Sequence, residues 1–232
     1  MRATVISIIV SSALLLIAPT AASAAQGYDY FIVGNPADVT PPTRGLLVLQ
    51  GGGTDVDENF VRMGQAAGGG DFVVIRASGT DAYNPYIYAL CGCDSVETIV
   101  FKNRNGAFDE FVLSRIAHAE ALFIAGGDQA DYVTEWKNTP VEDAINAHAR
   151  KPAPIGGTSA GMAVLTEFVY SAMSGSSLTS AEGLADPFAR DLTLDRDFLA
   201  LPTLNAKISD QHLIERDRIG RTVAFLARLV HV

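Results

Sequence analysis

Residues 46–75, LLVLQGGGTDVDENFVRMGQAAGGGDFVVI, decide the fold. Residues 46–49 are a short apolar run that ends in Gly51-Gly52-Gly53. Residues 58–67 carry helical spacing, Gly68-Gly69-Gly70 stops that helix, and residues 72–75 are a second apolar run. Neither run alternates with polar residues, so each predicts a strand covered on both faces. Strands of that kind belong to parallel sheets crossed by helices. The same rhythm continues downstream. Residues 96–101 predict a strand, with a turn at 103–106. Phe108, Phe111, Val112 and Ile116 give helical spacing over 108–117, and residues 121–124 are another strand. Helical segments follow around 130–136 and 141–150, and Pro154-Ile155 is a short strand running into Gly156-Gly157-Thr158-Ser159. The expected architecture is α/β, a three-layer αβα sandwich around a mostly parallel sheet. Residues 45–232 read as one domain, without repeat or linker, and residues 25–44, with their Gly, Pro and Asp, read as an arm leading into it.

The 232 residues are 48% hydrophobic and 19% charged, which suits one ordinary globular domain and excludes a disordered or fibrous chain. A net charge of −9 leaves no basic surplus for phosphates, so no nucleic-acid partner is expected. Arg2, the apolar run 5–18 and Ala22-Ser23-Ala24 together read as a secretory signal cleaved after Ala24, ahead of an uncleaved N-terminal anchor or a buried helix. The run is short for a membrane span. The expectation is a secreted or periplasmic protein with no membrane contact after cleavage. Export permits a disulfide, and Cys91-Gly92-Cys93 can be a local bridge, two thiols or, least of all, part of a metal site.

In doubly wound sheets, function gathers at the carboxyl ends of the strands. Three strand ends here carry glycine: Gln50-Gly51-Gly52-Gly53, Gly126-Gly127-Asp128-Gln129 and Gly156-Gly157-Thr158-Ser159-Ala160-Gly161. The last fits G-x-S-x-G between a strand and a helix-competent segment, the context of a nucleophile elbow. Ser159 is the expected nucleophile, with the Ala160 amide aimed at the oxyanion position. A serine needs a base. His118 and His148 fall within helical segments as surface or packing residues, and His231 stands at the chain's end. His212, in a polar cluster ahead of a helix, is the best base. Arg216, Arg218 and Arg221 follow it, interleaved with Glu215 and Asp217. Spacing alone allows a solvated helix start laced with ion pairs, or a clamp for carboxylates.

The segments Gly126-Gly127-Asp128-Gln129, Gly156-Gly157-Thr158-Ser159-Ala160-Gly161-Met162 and Asp210-Gln211-His212-Leu213-x-x-Arg216-x-Arg218-x-x-Arg221 together resemble the cyanophycinase and dipeptidase E group of serine peptidases, family S51, over about residues 45–230. The resemblance implies a class I glutamine amidotransferase-like, flavodoxin-like sandwich with serine in place of cysteine at the elbow. It implies Ser159 as nucleophile and His212 as base, an oxyanion hole from Gly127 and Ala160, and a substrate site lined by Gln129, Asp210, Gln211, Arg216, Arg218 and Arg221. The implied activity is release of β-Asp-Arg dipeptides from cyanophycin, a polyaspartate with arginine on each β-carboxylate. Cleavage after N-terminal aspartate in small peptides is the neighbouring alternative. No cofactor or metal is implied, and family members often form homodimers. In family members a further strand supplies the acid that orients the histidine. In this chain the helix read over 222–229 precedes the last residue, Val232, so that acid falls outside it. Loss of such an acid costs up to about 10⁴ in rate, so an impaired, polymer-binding homologue is a further expectation. Glu182 and Asp186 are candidate substitutes.

Overall fold

The computed structural model describes residues 26–231; residues 1–25 and 232, with the His231 side chain, lie outside that description, and so does the expected signal segment. Six strands form the main sheet: β1 (Tyr28–Gly34), β2 (Leu46–Gln50), β3 (Asp71–Arg76), β4 (Ser95–Phe101), β5 (Ala121–Ile124) and β6 (Pro154–Thr158). Their spatial order is β1-β4-β3-β5-β6-β2. All neighbours are parallel except β1, which pairs antiparallel with β4. The chain is thus an α/β protein with a mostly parallel six-stranded sheet.

The unalternating apolar runs have the expected cause. In β3, Val73 and Ile75 join one core, with Ile99, Leu122 and Ile124 from neighbouring strands, while Phe72 and Val74 join the opposite core with Phe123. The first core is covered by α3 (Glu110–His118), α4 (Gln129–Trp136) and α5 (Pro140–Ala149), and the second by α1 (Asp57–Ala66) and α2 (Tyr83–Cys91). Burying one side chain of such a strand removes it from water at about 1.5–3 kcal/mol, and both faces gain.

Residues 28–34, read in sequence as part of an arm, are instead the edge strand β1. Only Tyr28 is buried there, so its signal is the weak one of a half-covered antiparallel edge. Tyr30 ties this strand down by donating to Glu97 Oε2 at 3.0 Å, and the fully buried Glu97 carboxylate is also gripped by Arg115 of α3. The helix α2 gives little sequence signal because Asn84, Pro85 and three tyrosines displace good helix formers; Pro85 is tolerated in its first turn. It ends at Gly92, whose left-handed conformation lets Cys91 and Cys93 close a buried disulfide.

After β6 comes the four-residue helix α6 (Ala160–Ala163). A smaller unit follows: the pair β7 (Val169–Tyr170) and β8 (Leu194–Asp195), helix α7 (Ser180–Ala185), and the long helix α8 (Ile219–His231). Tyr170, Leu178, Leu192, Ala224 and Phe225 form its core.

Two histidines serve the scaffold. His118 is exposed on α3, whereas His148 is fully buried, with Nε2–H donating to Pro154 O at 3.0 Å. Burial pushes the His148 imidazole down to about 4. The unfolded chain protonates this group near 6.5, so its contribution to stability is complete above that pH and is lost as pH falls towards 4. Urea titrations should show the acid-side loss shrinking in His148→Gln by up to roughly 3 kcal/mol. An unchanged difference between neutral pH and about pH 4.5 would refute the assignment.

Candidate active site

The elbow forms because β6 must turn into α6 within one residue. Ser159 takes φ 52° and ψ −120°, a strained conformation for a residue with a Cβ, worth roughly 1–3 kcal/mol. Strain of this size persists only where the surroundings enforce it. Here Ser159 N donates to Gln50 O at 3.0 Å, and α6 lies so close to β5 that a Cβ on Gly161 would overlap Ile124 O. The serine is therefore lifted off the carboxyl edge of the sheet.

His212 arrives from the other direction. It has φ 51°, and its backbone N–H donates to Gly51 O at 2.8 Å. Its imidazole lies over Gly52, where a Cβ would stand 2.5 Å from Nε2. The glycines after β2 thus make room for a histidine supplied 160 residues later. Ser159 Oγ lies 2.9 Å from His212 Nε2. For Nε2 to accept the hydroxyl proton the ring must carry its own on Nδ1. Partial burial holds the His212 pKa below the usual value, helped by the cationic Arg216 and Arg218 and opposed by Glu215.

Among the described residues no carboxylate hydrogen-bonds to His212. Glu182 accepts from Thr179 N and Oγ1, closing a capping box on α7, and Asp186 Oδ1 accepts from Phe188 N. Both expected substitutes for the orienting acid are spent on local turns.

Beside Ser159 opens a cavity of about 300 Å³, lined among others by Gly127, Gln129, Ser177, Gln211, Arg216 and Arg218. Gly126 packs on the nucleophile: a Cβ at this position would meet Ser159 Cβ at 3.4 Å, so the Gly126-Gly127 turn borders the same space as the Ala160 end of α6. Gln211 Nε2 donates to Gln129 Oε1 at 3.3 Å, which fixes two buried amides in the wall. Arg218 is largely buried; Nη1 donates to Gln211 O and Nη2 to Ser177 Oγ. Burial, with Arg221 close by, pushes its pKa down to about 10, so it remains a cation at neutral pH. Arg216 is exposed and makes no side-chain hydrogen bond or ion pair with any described residue.

Two residues expected in the substrate site sit elsewhere. Asp210 and Arg221 are buried against each other, with Arg221 Nε donating to Asp210 Oδ2 at 2.7 Å and Nη2 donating to Oδ1. The rings of Tyr170 and Phe225 cover the guanidinium, at 4.9 and 5.6 Å, and Thr222 Oγ1 donates to Asp210 Oδ2. This correction has a physical reason: helical spacing turns Arg221 into the core of the small unit, where its charge needs Asp210. Ser177 is the residue that sequence reasoning missed. It accepts from both Arg218 and Arg221, yet its Ser- and Gly-rich segment carries only a loop signal.

An αβα sandwich with a serine at a strand-to-helix elbow, a histidine against it and an arginine-lined cavity defines a class. The profile of Peptidase family S51 matches residues 86–187. The cyanophycinase of Trichormus variabilis (strain ATCC 29413 / PCC 7937) is 30% identical over 142 residues, which is 61% of this chain and 44% of that protein. The cyanophycinase of Thermosynechococcus vestitus (strain NIES-2133 / IAM M-273 / BP-1) is 29% identical over 142 residues, covering 61% and 41%. The crystal structure of a peptidase from an acI-B1 Actinobacterium superposes with a TM-score of 0.48 at 18% identity, covering 68% of this chain and 65% of that one. Over these residues the chain is similar to peptidase family S51. The match spans less than half the length of these cyanophycinases.

Removing one partner of a buried ion pair leaves the other charge uncompensated, at about 3–5 kcal/mol. Arg221→Met and Asp210→Asn should therefore lower Tm by at least roughly 5 °C, read by thermal unfolding, whereas Arg216→Gln should leave Tm within about 1 °C of the parent because it sits on the surface.

Proposed function

We propose that this chain is an exported serine-type peptidase that hydrolyses cyanophycin to β-Asp-Arg dipeptides through an acyl-enzyme on Ser159. The observation that carries the reading is the 2.9 Å contact of Ser159 Oγ with His212 Nε2 beside a cavity presenting Arg216 and Arg218. Export rests on the signal-like residues 1–24.

The chemistry follows from the placement. Ser159 Oγ attacks the scissile carbonyl carbon while its proton passes to His212 Nε2. The Ala160 and Gly127 amides receive the developing oxyanion. The imidazolium then gives its proton to the departing amide nitrogen, the bond breaks and the amine leaves. Water then attacks the acyl carbon as His212 takes its proton, and the imidazolium returns that proton to Ser159 Oγ as the ester bond breaks and the acid product leaves. Arg216 and Arg218, cations with no carboxylate of their own among the described residues, hold a substrate carboxylate.

Dipeptide release from insoluble cyanophycin by the purified chain tests this. Ser159→Ala and His212→Ala should each lower the rate by about 10³-fold or more. Binding without cleavage in the parent would convert the reading to a polymer-binding homologue, and cleavage of Asp-X dipeptides but not polymer would convert it to an aspartyl dipeptidase. The pH profile gives a second check. The base must be unprotonated, so the acid limb of kcat/KM should fall below the ordinary histidine value. Arg216→Gln removes a cation that disfavours the imidazolium and should move that limb upward; a limb that stays put would refute the electrostatic coupling.

A further inference from the structure

The proposed polymer offers a guanidinium for every free carboxylate, and the cavity beside Ser159 answers only the carboxylates. Its one acid, Asp128, caps α4 by accepting from Ala130 N, and Asp210 is consumed by Arg221. On the other face of the sheet, over α1 and α2, lies a set of polar groups that the mechanism does not use.

Arg76 is the last residue of β3, and its guanidinium lies over Gly79, which has φ 95°. It makes no hydrogen bond and no ion pair with any described residue, and its Nε is buried without an acceptor. Its guanidinium carbon stands 5.6 Å from the centre of the Tyr83 ring. Tyr83 Oη donates to Asp55 Oδ2 at 2.7 Å, which leaves Asp55 Oδ1 buried and unpartnered among the described residues. Gln50 is 6% exposed; its Oε1 accepts from Val56 N, beside Asp55, and its Nε2 has no acceptor there. Three unsatisfied polar atoms in one neighbourhood are rare in a native fold and call for an explanation. This group also borders the nucleophile. Gln50 O accepts from Ser159 N at 3.0 Å, and Ser78, just beyond Arg76, points its Oγ towards Gly127.

We propose that Asp55, Arg76 and Tyr83, backed by Gln50, form a second substrate subsite that takes an arginyl unit with a free carboxylate, across Ser159 from the arginine-lined cavity. The inference rests on the peptidase reading above and assigns the half of the substrate that reading leaves unbound. Asp55 meets the guanidinium with a charge-assisted hydrogen bond. Arg76, held against the Tyr83 ring without an anion, meets the carboxylate.

Calorimetry on the full chain carrying Ser159→Ala, with β-Asp-Arg and β-Asp-citrulline dipeptides, tests the subsite apart from turnover. Citrulline keeps the shape and carboxylate and removes the charge. The Ser159→Ala chain should prefer the arginyl dipeptide by about tenfold or more. Adding Asp55→Asn should bring that ratio close to one. Adding Arg76→Gln should weaken both dipeptides alike and leave the ratio intact. A ratio unchanged by Asp55→Asn, or one abolished by Asp128→Asn instead, overturns the subsite. Polymer cleavage by the parent chain separates the two failures: cleavage with an unaltered ratio sinks the subsite alone, whereas no cleavage and no binding of either dipeptide sinks both.

Discussion

The buried pair of Asp210 and Arg221 holds the second half of the site together. Arg221 reaches from α8 to Asp210, to Ser177 Oγ and to Leu178 O, while Tyr170 and Phe225 close over it. Four separate segments thereby meet at one guanidinium. Two residues beyond Asp210 stands His212, and Ser177 also receives Arg218. Buried ion pairs add little net stability against an apolar replacement, because desolvation offsets the attraction. Their geometry is another matter, since a planar fork on a carboxylate fixes both partners in angle as well as distance. The base and the cavity wall inherit that fixity.

The first half of the site depends on a different constraint, the absence of side chains where backbones converge. The three glycine clusters do three distinct things. Gly51 accepts from His212 N and Gly52 leaves room for its ring; Gly126 packs on Ser159; Gly161 lets α6 touch the end of β5. In a parallel sheet all of these fall at the same edge by topology. The nucleophile and the base therefore come into contact through two glycine turns on β2 and β6, strands that pair with each other along their whole length.

Much of this was legible in the sequence, and the limits are physical. Strands covered on both faces leave unbroken apolar runs, so β2, β3, β4, β5 and β6 can be read directly. Strand β1 cannot, because an antiparallel edge needs only alternate burial and Tyr28 is its one buried residue. Ser159 and His212 stand out because strained elbows demand small neighbours and a base needs a titratable ring. The arginines show where sequence stops. Arg216, Arg218 and Arg221 differ by a few residues, yet the first is exposed at the cavity, the second is buried in its wall and the third is wholly buried away from it. Spacing ranks them alike; only the turns between His212 and α8, and the packing of α8 itself, sort them. Arg76 and Asp55 carry no motif at all, and their unsatisfied atoms are visible only once β2, β3 and α2 are assembled.

The charge arrangement also bears on how the histidine works. A chain of net charge −9 gathers Arg216, Arg218 and Arg221 around its base. Those cations disfavour the imidazolium, which keeps His212 ready to accept a proton but opposes the charge it must carry in the transition state. Under the proposed function, a substrate carboxylate bound to Arg216 and Arg218 cancels much of that opposition. Substrate binding then strengthens the base at the moment it is needed, and it does so only for a substrate with a carboxylate in the right place. No carboxylate of the described residues bonds to His212, so under the proposed function the anionic partner that tunes the base comes with the substrate. Specificity and rate are then coupled through the same two arginines, as differential binding of the transition state requires.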